Sequence, residues 1–114
     1  MSKEILKLIE NVSPDDTEAL RKIDMKVAAY VTPTGCRGMI LKPYTTSRDA
    51  QEAINELGDV NRLLVSEFEG SCNATFHHTF DAPEFNVRRI VTKKLAELHV
   101  RLQAKAHERE TTNL

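Results

Sequence analysis

Residues 42–57, KPYTTSRDAQEAINEL, constrain this chain more than any other stretch, because they fix where an extended segment must become a helix. Pro43 holds the incoming chain extended. Thr46 is placed to cap the helix as an acceptor for free backbone N–H groups. Asp49, three residues on, can reach back as the second half of a capping box and sets a negative charge in the first turn. Ala50, Ala53, Ile54 and Leu57 then recur at three- and four-residue intervals and predict one apolar helix face. Gly58 follows as the stop.

A chain of 114 residues supports one hydrophobic core. A single domain over 1–114 is expected, with a helical N-terminal segment at 3–31 and a core over about 38–109. Hydrophobic residues at 40% and charged residues at 29% fit a folded, water-soluble protein. Aromatics are only 5% and Trp is absent, so the core must be mainly aliphatic, and self-association would bury apolar surface that one copy leaves open. A net charge of −1 argues against coating nucleic acid by bulk electrostatics. Cys36 and Cys72 can pair in principle but read more simply as free thiols in a reducing cytoplasm. The N-terminal stretch is too short and too charged for a signal peptide or a membrane span, so a cytoplasmic location is expected.

Taken in order, Ile5, Leu8, Ile9 and Val12 share a helical face over 3–11. Ser13 as cap and Pro14 at the first helical position predict a second helix over about 14–30, although its VAAYV end also suits a strand. Pro33, Gly35 and Gly38 mark a loop, and 38–42 reads as a brief strand. Leu63, Val65 and Phe68 predict a strand over 62–69. A turn at Glu69-Gly70-Ser71 leads into the alternation of Cys72, Ala74, Phe76 and His78 with polar residues, the period of a half-buried strand. A third strand is expected over 85–91. Thr92 caps a closing helix marked by Leu95, Leu98, Leu102 and Ala106, with Lys93–Glu97 and Glu97–Arg101 as surface pairs. The fold class is therefore α+β: a small antiparallel sheet of three to four strands packed with helices.

Chemistry is less legible. His77 and His78 point to opposite faces of a regular strand, and His99 and His107 lie two helical turns apart, so the four histidines predict no metal site. Cys36 beside Arg37 has a cation but no base, and no catalytic residue is expected. Thr45, Thr46 and Ser47 lie at a helix start, where hydroxyls and free N–H groups suit an anion as well as simple capping, with Arg48 adjoining. Residues 86–109 carry Arg88, Arg89, Lys93, Lys94, Arg101, Lys105 and Arg109 against only Glu97 and Glu108. Such a segment can face a phosphate-bearing ligand or an acidic surface, or simply form a solvated helix face.

Pro43-Tyr44-Thr45-Thr46-Ser47-Arg48-Asp49-Ala50 resembles the Tyr-Thr-x-Ser-x-Asp-Ala helix start of small tailed-phage and prophage proteins with a phage ABA sandwich domain. The closing Leu95-Ala96-Glu97-Leu98-His99 helix, with Ala104 and Ala106 downstream, is similar to their final helix. The likeness spans roughly 40–109 and leaves the longer helical N-terminus unplaced. It implies a three-layer, sandwich-like arrangement of helices packed on a small antiparallel sheet and no established enzymatic activity, and no cofactor is expected. It further implies an accessory role, such as sequestering a signalling nucleotide or binding a host protein. On that expectation Tyr44 would stack a base, Thr45, Ser47 and Arg48 would receive phosphate, and Arg88 and Arg89 would add cations, in a monomer or a homo-oligomer. The competing expectation is a DNA- or RNA-binding regulator using the basic 86–109 segment.

Overall fold

The computed structural model describes residues 2–32, 38, 41–55, 62–77 and 83–112. Cys36, His78, the Gly58 stop and residues 39–40 of the strand expected at 38–42 lie outside the described residues. Among these described residues, four helices and three strands follow in the order α1 (Ser2–Asn11), α2 (Thr17–Val31), α3 (Arg48–Glu52), β1 (Arg62–Phe68), β2 (Ser71–His77), β3 (Phe85–Ile90) and α4 (Lys93–Thr112). The strands form one antiparallel sheet in the order β1-β2-β3. This is the expected α+β class, with a three-stranded sheet packed against helices.

The architecture centres on α4 rather than on residues 42–57. Every residue from Leu95 to Leu102 is buried, including Glu97, His99 and Arg101. A helix covered around its whole circumference must lie between two layers. The sheet packs on one side of α4 through all three strands, and α1 and α3 pack on the others, with α2 carried on α1. Thr92 Oγ1 accepts the Leu95 N–H at 3.1 Å, so the expected cap holds. Leu95, Leu98 and Leu102 meet Cys72, Ala74 and Phe76 of β2 and Val87 and Ile90 of β3 in a single aliphatic core.

Two helix starts differ from expectation. Ser13 and Pro14 belong to a turn, with the Asp16 N–H on the Ser13 carbonyl at 3.1 Å, and Asp16 is the cap of α2, accepting from Ala19 N–H. The VAAYV end remains helical to Val31. At α3 the cap is Ser47, not Thr46. The Thr46 and Ser47 N–H groups both turn back to the Pro43 carbonyl, which delays the helix by one residue, and Ser47 Oγ then faces the Ala50 N–H at 3.4 Å. Only five residues form regular helix before the chain bends at Ala53.

Candidate functional site

The ligand set expected from the sequence divides between opposite sides of the sheet. Tyr44 and Thr45 are interior, 2% and 3% exposed. Thr45 donates its N–H to Asp24 Oδ1 at 2.8 Å, and the Tyr44 carbonyl accepts from Gln51 Nε2 at 2.7 Å. A ring enclosed in the core cannot stack a base, so that expectation is corrected. Ser47 caps α3, and Arg48 is held by Glu97, with Nη2 to Oε1 at 2.6 Å and Nε to Oε2 at 3.3 Å. These residues fasten α3 to α2 and α4.

That fastening includes a buried polar layer that periodicity does not reveal. Gln51, fully buried, donates to the carbonyls of Tyr44 and Lys94 and so ties α3 to α4. Glu97, expected as a surface residue, is 2% exposed and takes Arg48, with Lys94 3.8 Å away. Its carboxylate strengthens the hold of Arg48 on its proton. Arg101, one turn further, is buried over the Phe76 ring at 5.1 Å, and its Nε and Nη1 have no hydrogen-bond partner. Burial pushes the Arg101 guanidinium down from its ordinary range, opposed by the charges of Glu97 and Glu52. The missed signal is the length of α4: a long closing helix in a small domain must be covered on several sides, polar positions included.

Arg88 and Arg89 occupy a different setting. Between β2 and β3 the register slips, with Ala74 opposite Val87 but Cys72 opposite Ile90. This inserts one residue into β3 and forms a β-bulge. Val87 and Ile90 both turn to the core, and adjacent Arg88 and Arg89 are both exposed, which a regular strand would not allow. Arg89 adopts a left-handed φ of 61°, and its N–H is caught by Asn73 Oδ1 at 3.1 Å. Beside the bulge, Asn73, Thr75, Glu84, Asn86, Val87 and Arg88 line an open groove of about 430 Å³. Thr75 and Asn86 are direct cross-strand partners there. Arg88 makes no ion pair among the described residues.

Two further basic residues of 86–109 are taken up inside the fold. Arg101 is interior, and Arg109 lies over the Tyr30 ring at 4.2 Å while donating to the Tyr30 carbonyl. Among the described residues no group of three His, Cys, Asp or Glu side chains can hold a metal ion. None of the described helices is long and apolar enough to cross a membrane. Cys72 is a buried free thiol whose pKa is raised, first by burial and then by Glu67.

Fold and groove together define a small α+β protein with one helix-covered sheet face and one open face. Compared with known proteins, the chain matches no family model, no curated protein and no solved structure.

Proposed function

We propose that this chain is a non-enzymatic binding protein that holds a small phosphate-bearing ligand, a signalling nucleotide, on the open face of β2 and β3. The observation that carries this reading is the bulge that turns Arg88 and Arg89 outward together. A left-handed conformation at a non-glycine residue costs about 1–2 kcal/mol. Bulges are over-represented where a side chain must be re-aimed next to a site. Arg88 supplies the charge for a phosphate group, and Asn73, Thr75 and Asn86 supply amide and hydroxyl contacts. Glu84 in the same groove repels a bare anion but accepts from the amino group of a base, which favours a nucleotide over inorganic phosphate.

Binding of this kind needs affinity and no general base. It fits the accessory role that the resemblance to tailed-phage proteins implies, sequestration of a nucleotide in the host cytoplasm. Calorimetric titration with a panel of cyclic nucleotides tests it. Heat is expected with the wild type and a loss of at least tenfold in affinity with Arg88→Ala. No heat with any nucleotide at high protein concentration removes the ligand reading and leaves a host protein as the partner. The exposure of both arginines also favours a second reading, a DNA- or RNA-binding regulator. That reading requires affinity that falls steeply with added salt.

A further inference from the structure

We infer that β1 is a self-association edge, through which two copies of this chain pair antiparallel to make one six-stranded sheet. Among the described residues the two edges of the sheet are unpaired, and they are built differently. The β3 edge carries the bulge, a left-handed residue and two adjacent arginines, all features that discourage pairing with another strand. The β1 edge carries none of these. Its seven residues pair with β2 from Arg62↔His77 to Phe68↔Ser71 without a slip, so the opposite side presents a straight row of backbone donors and acceptors. Neither Pro nor Lys interrupts Arg62–Phe68.

This edge carries apolar side chains on both faces. Leu64 and Phe68, 69% and 70% exposed, stand on the open face, while Leu63 and Val65 on the helix-covered face are only half-buried. A strand added beside β1 would cover all four. Charge selects the occupant. Arg62 begins the strand on the open face, opposite His77, and Glu69 closes it at the turn, both exposed. Antiparallel pairing with a second copy brings each basic start beside the other copy's acidic turn, whereas parallel pairing would stack like charges. Such a pair is isologous and closes at two copies, leaving only the guarded β3 edges outside.

Light scattering coupled to gel filtration tests this. The wild type is expected at twice the 12.9 kDa chain mass, and the double variant Leu64→Lys, Phe68→Lys at the monomer mass with an unchanged circular dichroism spectrum. Arg62→Glu alone, which sets an acidic strand start beside the other copy's acidic turn, should weaken the dimer at least tenfold. A monomeric wild type, a mass beyond two copies, a dimer that survives both lysines, or one indifferent to Arg62→Glu would each overturn the inference.

Discussion

Glu97 lies between two guanidinium groups and is hydrogen-bonded to only one of them, Arg48, leaving buried Arg101 with two unpartnered nitrogens. The two members of this layer should therefore respond oppositely to substitution. Glu97→Ala removes the counter-charge of Arg48 and the nearest negative charge to Arg101, and should cost roughly 3 kcal/mol, reduced because Arg48 is half-exposed and can be hydrated. Arg101→Met keeps the length and apolar contact with Phe76 while deleting a poorly compensated charge. It should be neutral or stabilising by about 1–3 kcal/mol. Urea denaturation of both variants checks the pair, and a strongly destabilised Arg101→Met would show that its guanidinium is satisfied in solution. His99 adds a pH response. Gln103 Nε2 can only donate, so His99 Nδ1, 2.8 Å away, accepts, and the proton of the neutral ring is on Nε2, 3.8 Å from Glu10. Burial lowers the His99 pKa from its ordinary 6.5, with Glu10 opposing weakly. Protonation is thus harder in the fold than in the unfolded chain. The associated stability is complete above the ordinary value and is lost as pH falls from there toward the lowered one. The steepest slope for one proton is about 1.4 kcal/mol per pH unit. Denaturation of wild type and His99→Gln between about pH 7.5 and pH 5 should show the wild type losing more.

At the level of elements, the β1–β2 hairpin was the most legible part of the fold. Its period-two alternation and its Glu69-Gly70 turn both appear as read, because strand periodicity and tight-turn chemistry are local. The turn has φ values of 51° at Glu69 and 78° at Gly70, a conformation in which Asn or Gly is preferred at the first position. Glu69→Asn should accordingly stabilise the protein by about 0.5–1 kcal/mol in thermal or urea unfolding, and Gly70→Ala should cost about 1–2 kcal/mol. The helix starts were legible to within a few residues. Ser13, Asp16, Thr46 and Ser47 are all competent caps, and backbone turns chose among them. The candidate site was half legible. Arg88 and Arg89 were identified as cations, but adjacent residues on a strand are expected to diverge, and only the register slip against Cys72 and Ala74 turns both outward. Tyr44, Thr45 and Arg48 were misread because a helix start that suits an anion looks the same when its groups are consumed by Asp24, Gln51 and Glu97.

For the whole molecule, burial is unequal between the elements, and this sets how the structure should open. The interior of α4 is shared with all three strands, α1 and α3, so it cannot unfold without exposing the entire core. The α2 helix packs chiefly on α1, buries only Ile23, Val27 and Ala28, and is otherwise held by single ties: Lys26 to Glu4 at 2.9 Å, Asp24 to Thr45, and the Tyr30 carbonyl to Arg109. Of these the Lys26–Glu4 pair is exposed and worth little, since water and salt compete for it. Releasing α2 exposes one helix face and leaves the α4–sheet core closed, so its opening should be sub-global. Native-state amide exchange should then rank α4 and β2 as slowest, at the global unfolding free energy, with α2 exchanging at least tenfold faster and α1 between them. Raising salt should speed α2 further through the Lys26–Glu4 pair, whose loss also returns Glu4 toward its ordinary carboxylate range. If α2 instead exchanged at the same rate as α4 at every salt concentration, the helical shell and the sheet would be one cooperative unit, and α2 would have to be counted as part of the core.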